Sequence, residues 1–468
     1  MKKTLLLLPI FSSTAFAENV IEHNTDPIVF EPQQQAVKFE QNFAKKAQKI
    51  TAYQTQISGK SIEQQINQAI VSQNWQQLDI LLNDYAKQPN QDPLLLDYGL
   101  AALAYGQKDH QLAIFHYRSL LAKQPDLLYP HFDLALVLAE NQQYRDAEQA
   151  FNKIASKLPA DLKNIAERTK AQIAEQENWQ HDVYLQYTQT DNVNNAATSP
   201  TVNVNGRIFH KNKESLPQSA KGLRYGLGLS KKWNIVGNHF VGIALNYNGV
   251  YYWDNHDYSE QSLSVSPQYS YRQANYRVSF SPFIEQNWLS SSRYNYQFGT
   301  KLNGLRILND RWLLSGGISH SQKRYFEPLL AHRYNGYKNQ LEGSLQWQAV
   351  KNWRFFANAQ ASREITREKA QSSNKWLVRI GAIYQTNSWA VQANVAFGKR
   401  YFADNHYLFG YKRQDKEYQG NLAIWNRAWH YKGIVPKLNF RYQKIDSNIA
   451  DFYSRRNQEV FMTLEKLF

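Results

Sequence analysis

The chain has 468 residues, a formal net charge of +15 and no cysteine. The lack of cysteine excludes disulfides, a thiolate metal site and a lipid-attachment cysteine after a signal segment. The mean hydropathy of −0.63 resembles that of a water-soluble protein. It does not exclude a membrane location, because a barrel strand that exposes only alternate residues to lipid also averages out as polar.

The N-terminus has the pattern of a secretory signal peptide. Lys2 and Lys3 precede an apolar run at residues 5–11 and a small-residue cleavage site at Ala15-Phe16-Ala17. We therefore predict a signal peptide at residues 1–17 and a lead-in segment at 18–60. The apolar run is shorter than the roughly 20 residues that a membrane-spanning helix needs, and no other stretch qualifies, so the sequence predicts no such helix.

A spacing of 34 residues relates two segments of the following region. The matched pairs are Leu100 with Leu134, Ala101 with Ala135, Ala113 with Ala147, Tyr117 with Phe151, Leu120 with Ile154, and Pro125 with Pro159. Small residues at matched places let helices pack closely, and proline ends each second helix. The pattern resembles tetratricopeptide repeats. It predicts a helical domain at residues 61–177, with two clear repeats, one looser pair before them and a capping helix after them.

Stacked helix pairs of this type usually present a concave groove that binds a peptide or protein. The repeat register places four side chains on that groove, which makes them candidate cargo contacts: Tyr98, Tyr105, Phe132 and Glu140. The alternative is that some of these aromatic residues belong to the helical core.

From residue 181 to the end, stretches of about ten residues alternate apolar and polar side chains between turn signals. Six short and seven longer connections separate about fourteen strands, and an even number returns both ends of the sheet to one side. The expected fold is therefore a helical domain followed by an antiparallel transmembrane β-barrel at residues 181–468. The aromatic content of 14% suits the interfacial girdles of such a barrel.

The basic charge lies entirely in this second half, since residues 181–468 carry +18 and residues 1–180 carry −3. One interpretation is contact with anionic lipopolysaccharide at the outer leaflet, and the other is a basic lumen or loop surface for an acidic cargo. A fourteen-stranded barrel is wide enough to hold a passage. Lys301, Arg379 and Arg441 fall on polar faces and are candidate lumen residues.

The final strand carries Val460, Met462, Leu464 and Phe468 on one face. A terminal aromatic residue that closes such a strand resembles the signal read by the bacterial barrel-assembly machinery, so these residues are the predicted closure and assembly signal. If both barrel ends are periplasmic, this strand pairs with the first one, at about residues 182–190. The resulting seam lies beside the repeats and is a candidate place for cargo to enter.

The sequence contains no pattern typical of an enzyme. Six histidines of the second half lie singly, without a nucleophile or a carboxylate in a recognisable motif: His239, His256, His320, His332, His406 and His430. Neither a metal-binding cluster nor a phosphate-binding loop is present. We therefore expect no catalysis, no cofactor, no metal and no nucleic-acid partner.

The order of domains resembles the surface lipoprotein assembly modulators (Slam) of Gram-negative bacteria. Two local features carry the same resemblance, namely Asp191-Asn192-Val193-Asn194-Asn195 after the first strand and the terminal Leu464-Glu465-Lys466-Leu467-Phe468. The resemblance implies an outer-membrane translocator of type XI secretion, which moves lipoproteins or haem- and metal-binding proteins to the surface or the medium. The implied partners are that cargo, periplasmic chaperones, the barrel-assembly machinery and outer-membrane lipid, around a monomeric translocator.

Two rival functions remain at this point. An exopolysaccharide export porin also joins tetratricopeptide repeats to a barrel, although such exporters usually have more repeats and sixteen strands. A passive nutrient porin would need no helical domain, unless that domain contacts peptidoglycan.

Overall fold

The chain forms a helical domain followed by a closed barrel. The computed structural model describes residues 61–204, 206–426, 428–429, 431 and 434–466, so the predicted signal peptide and lead-in segment lie outside the described residues. The helices of the first domain are α1 (Ile62–Val71), α2 (Trp75–Tyr85), α3 (Pro93–Gly106), α4 (His110–Lys123), α5 (Leu128–Glu140), α6 (Tyr144–Ile154) and α7 (Ala160–Glu177).

Short polar side chains start the first four helices. The side-chain oxygens of Ser61, Asn74, Asp92 and Asp109 each accept a hydrogen bond from a backbone N–H in the first turn of the helix that follows. These bonds satisfy donors that have no partner within the helix. The helices then pack as antiparallel pairs. At Gly106 the backbone of α3 comes so close to the Trp75 indole that a Cβ atom there would overlap the ring.

The barrel consists of fourteen antiparallel strands, as the sequence predicted, and a separate hairpin lies in the first long loop. The strands are β1 (Gln180–Thr190), β2 (Thr201–Val204), β3 (Arg207–His210), β4 (Ala220–Val236), β5 (His239–Tyr252), β6 (Glu260–Arg272), β7 (Tyr276–Leu289), β8 (Ser292–Ile307), β9 (Trp312–Tyr325), β10 (Gly336–Val350), β11 (Trp353–Thr366), β12 (Ser373–Gln385), β13 (Trp389–Asn405), β14 (Lys412–Asn426), β15 (Ile434–Ser447) and β16 (Arg455–Lys466).

All strands except the β2–β3 hairpin join in one closed sheet, in which β1 pairs with both β4 and β16. We call the end of the barrel that carries the helical domain the inner end, and the opposite end the outer end. Two short helices, α8 (Pro328–Tyr334) and α9 (Ala450–Tyr453), lie in outer loops. The fold class predicted from the sequence is therefore confirmed.

One of the seven longer connections expected from the sequence, the one at residues 289–294, is wrong. Residues 289–294 contain only a two-residue turn, Ser290-Ser291, in which both residues have positive φ angles of 46° and 67°. Two successive left-handed residues give the backbone twist that a tight hairpin needs. Serine pairs are uncommon in such turns, so the residue types at these positions did not indicate a tight turn.

Side chains alternate along each barrel strand between a lipid-facing wall and an interior. On β16, for example, Val460, Met462 and Leu464 face outward and are exposed, whereas Asn457 and Glu459 are buried inside. Outward chains of this kind form an apolar band around the barrel. Among the described residues no helix is both long and apolar enough to cross a membrane.

Candidate functional site

The interior of the helical domain contains the aromatic residues that the sequence assigned to a cargo groove. Tyr98 is 3% exposed and Phe132 is 0% exposed. The Tyr98 hydroxyl donates a hydrogen bond of 3.0 Å to Asp133 Oδ2, and the Phe132 ring packs edge-on against Phe151 at 5.9 Å between centroids. The assignment of these two residues to a cargo-binding surface is therefore corrected, because neighbouring helices cover them on all sides.

Glu140 is also buried rather than displayed on a groove. Its carboxylate accepts a hydrogen bond of 3.0 Å from the Tyr105 hydroxyl and lies 3.2 Å from His110 Nε2. Glu140 thus ties α5 to α3 and to the start of α4, and of the four predicted groove residues only Tyr105 is partly exposed. A sequence signal for this existed, since Tyr98–Asp133 and Tyr105–Glu140 are both tyrosine–acid pairs 35 residues apart.

Asp133 is an ionisable group buried within this core. Burial raises the pKa of its carboxyl to about 7, and the hydrogen bond from Tyr98 only partly offsets that effect. Its second oxygen, Oδ1, has no hydrogen-bond partner among the described residues. The neutral carboxylic acid is therefore the favoured form at mildly acidic pH.

This burial predicts a pH-dependent stability of the helical domain. Because the folded pKa is raised, the stabilisation from protonated Asp133 is complete below pH 4 and is lost as the pH rises through 7. The loss between pH 4 and pH 8 is expected to be on the order of 2–4 kcal/mol. Hydrogen exchange of α3 and α5 amides in the full chain, compared at pH 5 and pH 8, measures it.

The change Asp133→Asn should flatten this dependence, since an amide does not titrate in this range. The matched control Asp79→Asn changes an exposed carboxyl on α2 and should leave the dependence as in the parent chain. An unchanged pH dependence in Asp133→Asn would show that another group is responsible.

Outside its core, the helical domain has an apolar face that the sequence did not single out. Leu112 and Phe115 lie three residues apart on α4 and are 44% and 64% exposed. Residues at this spacing share one face of a helix. This face offers the kind of surface that an unfolded apolar segment can contact.

The helical domain is docked on the inner rim of the barrel through Asn238, in the β4–β5 turn. Asn238 Oδ1 accepts hydrogen bonds from the side-chain amides of Gln111 at 3.1 Å and Gln143 at 3.0 Å. Its Nδ2 group donates to the carbonyl oxygens of Asn141 and Arg272. One buried amide therefore links α4 and the α5–α6 loop to two barrel turns.

Further polar contacts extend this docking surface along the rim. Gln142 donates to the carbonyl of Gln273 in the β6–β7 turn, and the Arg145 guanidinium donates to the carbonyl of Ile235. Lys108 forms an ion pair with Asp310 in the β8–β9 turn. The contacts thus run around one side of the rim, from β4 to β9.

An apolar contact completes the docking surface. Phe240 of β5 is fully buried and belongs to the hydrophobic core of the helical domain. Its ring meets Tyr144 of α6 edge-on, with 5.5 Å between centroids, and the Arg272 guanidinium lies 5.4 Å from its centroid. A barrel residue therefore contributes to the core of the repeats, which holds the two parts in a fixed relation.

The predicted lumen residues face the barrel interior. Arg379 donates hydrogen bonds to Asn394 at 3.2 Å and Gln419 at 2.8 Å. Arg441 lies 3.4 Å from Glu459 Oε2, and the Lys301 ammonium lies 4.7 Å from the Phe283 ring centroid. Each of these cations therefore contacts a neighbour on the inner wall.

Other interior cations are neutralised by carboxylates toward the outer end. Glu417 contacts Lys375 at 2.7 Å and Arg400 at 3.1 Å, and Asp415 contacts Arg413 at 2.6 Å. Low exposure strengthens these charge-assisted contacts. The +18 charge of this half thus includes cations held in interior ion pairs and does not give the charge of an open passage.

The seam is the ladder between β1 and β16. Its register partners run from Tyr184 and Glu465 at the inner end to Thr190 and Glu459 at the outer end. Val460, Met462 and Leu464 face outward along it, while Phe468 lies outside the described residues. Helix α7 leads directly into β1, and the Glu177 carboxylate accepts a hydrogen bond from the Asn234 backbone N–H. The seam therefore begins next to the helical domain. The role of these residues in assembly stays a prediction.

The Asp191–Asn195 motif fastens the outer end of the seam. Asn192 Nδ2 donates to the carbonyl oxygens of Ala196 and Arg456, and Asp191 Oδ1 accepts from the Gln458 backbone N–H. These side chains thereby join the end of β1 to the start of β16. The motif that supported the family resemblance thus joins two strands at the outer rim. We call these contacts of Asp191 and Asn192 the clasp.

Outer loops cover this clasp. Lys211 donates to the Asp451 carbonyl at 2.6 Å, and the Thr198 backbone N–H donates to the Ser454 carbonyl at 3.2 Å. The first long loop, with its β2–β3 hairpin, is therefore fixed against the last outer loop. Across the part of the chain that the structure describes, no group of three or more histidine or acidic residues could hold a metal ion.

These features define a class: an outer-membrane β-barrel with a tetratricopeptide-like domain fixed to its inner rim. Residues 179–468 match the family described as surface lipoprotein assembly modifier, and residues 48–151 match the N-terminal TPR repeats of surface lipoprotein assembly modifiers. The chain belongs to the surface lipoprotein assembly modifier family. Neither this family nor the barrel fold is an enzyme class.

Curated relatives cover most of the chain. It is 27% identical to "Surface lipoprotein assembly modifier 1" of Haemophilus influenzae, over 86% of this chain and 83% of the relative. It is 28% identical to the "Surface lipoprotein assembly modifier" of Pasteurella multocida, over 86% and 81%. It is also 23% identical to the "Hemophilin secretion modulator" of Acinetobacter baumannii, over 99% and 98%.

Solved barrels are only distantly similar. A FadL homologue of Pseudomonas aeruginosa aligns with a TM-score of 0.38 and 9% identity, over 62% of this chain and 90% of that one. The outer membrane channel DcaP of Acinetobacter baumannii aligns with a TM-score of 0.35 and 10% identity, over 62% and 97%.

Proposed function

We propose that this chain is an outer-membrane translocator that moves a surface lipoprotein or a secreted haem-binding protein from the periplasm to the cell exterior. The observation that carries the proposal is the docking surface: a repeat domain is fixed to the inner rim of a fourteen-stranded barrel through Asn238 and Phe240. A passive pore has no need of such a domain. The names of the family relatives supply the cargo class.

The helical domain is the proposed receiver of cargo. Its exposed face on α4, with Leu112 and Phe115, would contact an unfolded segment of the cargo. In this proposal Tyr98, Phe132 and Glu140 do not contact cargo. They are buried and stabilise the fold of the helical domain. Cargo arriving unfolded and folding outside would give transport its direction without nucleotide hydrolysis.

The proposed entry point is the inner end of the seam. Three features support this choice: the direct connection from α7 to β1, the contact of Glu177 with β4 beside β1, and the clasp at the opposite, outer end. A segment handed over by the repeats would meet the ladder at Tyr184–Glu465 first.

The test is removal of the chain from its own bacterium. Protease shaving of whole cells measures how much of each outer-membrane lipoprotein is exposed, and immunoblots of the medium measure each secreted haem-binding protein. We expect exposure or secretion of at least one such protein to fall more than tenfold. Complementation with the parent chain should restore it, and complementation with Leu112→Ser/Phe115→Ser should restore it only in part.

One matched control and one contradicting outcome make this test decisive. Ile80→Ser changes another exposed apolar residue of the helical domain, on α2, and should complement fully. If every lipoprotein and haem-binding protein is unaffected and a polysaccharide disappears instead, the translocator proposal is wrong and polysaccharide export replaces it.

A further inference from the structure

The lipid-facing wall of the barrel contains a hollow of about 760 Å³ across strands β9 to β15. Its volume lies within the range of roughly 300–1,000 Å³ that is typical of small-ligand sites. Large outward side chains form its sides, among them Trp347, Phe355, Ile380, Val395, Leu422 and Phe440. Its lining is apolar because the polar side chains of this region, such as Asn394 and Asn421, bond to each other inside the barrel.

Small residues on neighbouring strands form the floor of the hollow. In one row of the sheet Phe355 pairs with Ala382, which pairs with Ala393, which pairs with Leu422. Two adjacent alanines between large side chains leave a gap about two strand spacings wide, or about 10 Å.

In the next outward-facing row toward the outer end, the small residue is on β11. There Ala357 lies between Leu345 and Ile380, so the gap is displaced sideways along the sheet. In the next row Ala359 pairs with Gly343, and Gly343 pairs with Gly316. A Cβ atom built at Gly343 would meet nothing within 4 Å. The small residues thus form an oblique trough that continues away from the inner end.

The hollow lies in the inner half of the membrane. Ala393 is four residues beyond Trp389, the first residue of β13, which is about 13 Å along the strand and about 10 Å in height for a strand tilted by about 40°. Below it, Trp353 and Tyr384 contact each other with 4.8 Å between ring centroids, at the level expected for the interfacial girdle.

We propose that this hollow docks an acyl chain of a lipid-anchored cargo protein while the anchor is still in the inner leaflet. An extended chain in the trough would contact the wall on three sides, which increases its dispersion contacts over those at a convex wall. The position suits a cargo that contacts both the helical domain and the hollow. Trp312, at the edge of the hollow, follows the turn in which Asp310 contacts Lys108 of the helical domain. The identity of the anchor as cargo rests on the proposed function.

The test uses the full chain in phosphatidylethanolamine vesicles with two probes that carry the same diazirine-labelled palmitoyl chain. One probe is a short peptide with an S-diacylglyceryl cysteine, and the other is phosphatidylethanolamine itself. After illumination, mass spectrometry locates the labelled peptides. At equal mole fraction the lipopeptide should label strands β11 to β14 at least fivefold more than the phospholipid does.

A filled hollow should abolish this preference. Ala382→Leu/Ala393→Leu places larger side chains on the floor and is expected to lower lipopeptide labelling of these strands at least fivefold. The matched control Thr300→Leu enlarges an exposed lipid-facing residue on β8, outside the hollow. Lipopeptide labelling of strands β11 to β14 in this control should equal that in the parent chain. Heat-modifiable migration on gels verifies that each variant is a folded barrel.

The proposal is overturned if the two probes label the parent chain equally, because the hollow then holds bulk lipid only. It is also overturned if the filled variant is folded and keeps the lipopeptide preference. The comparison of probes on the parent chain remains decisive even if the filled variant does not fold. Since labelling requires no transport, its failure leaves the cell-surface experiment untouched, and a failure of export leaves the labelling result valid.

Discussion

A disulfide across the inner end of the seam, made by Leu185→Cys/Leu464→Cys, is expected to reduce cargo display more than tenfold. The two residues are register partners on β1 and β16, and both face outward. Directly opposed residues of antiparallel strands have Cα atoms about 4.5–5.5 Å apart, which suits a disulfide. The parent chain has no cysteine, so no other disulfide can form. A covalent bond would stop β1 and β16 from separating where cargo is proposed to enter.

The measurement is protease shaving of cells that were oxidised and then either kept oxidised or reduced. Reduction should restore display, because it opens the bond without changing the sequence. The matched control Leu229→Cys/Leu245→Cys places the same bond in the β4–β5 ladder, between two register partners away from the seam. Normal display by the oxidised seam variant would rule out entry through the seam and leave the lumen as the route.

Undocking the helical domain is the second change for which we expect a large effect. Asn238→Ala leaves the side-chain amides of Gln111 and Gln143 and the carbonyl of Asn141 without their partner. The expected cost to docking is about 2–4 kcal/mol, because unsatisfied buried polar groups cost about 1–3 kcal/mol each and part of the surface regains water. Adding Phe240→Ala removes a buried ring and contributes about 3 kcal/mol or more.

Hydrogen exchange of the full chain should reveal this undocking as faster exchange at residues 141–145, while the barrel keeps its heat-modifiable migration. Display of cargo should fall together with the loss of protection. Asn387→Ala is the matched control, since Asn387 is an exposed asparagine in the β12–β13 turn and should change neither quantity. If the double variant is undocked but displays cargo at the parent level, the fixed position of the repeats has no role in transport.

Local sequence patterns were sufficient for the architecture. The architecture followed from two periodic patterns that are visible in the sequence. One is the two-residue alternation of apolar and polar side chains on strands such as β16, and the other is the 34-residue spacing of the repeats. A change of face or of helix register is therefore visible in the sequence itself. The inward direction of Lys301, Arg379 and Arg441 followed from the same alternation.

The role of individual helical residues could not be predicted in this way. Tyr98 and Phe132 lie on the helix face that the repeat register indicated, but the register does not tell whether another helix covers that face. Covering depends on the angle at which α3, α5 and α6 pack, and this is a property of the assembled stack. The 35-residue tyrosine–acid spacing was a sign that the face is internal.

The sequence by itself thus determined the two-part architecture, a barrel of about fourteen strands, the outward face of β16 and the resemblance to the family. Only the tertiary structure decided where function can lie: the docking of Asn238 against Asn141, the Asn192 clasp on β16 and the lipid-facing hollow over Ala382 and Ala393. The physical reason is distance along the chain. Each of these sites joins segments that are far apart in sequence or depends on the register between strands, and no local periodicity carries that information.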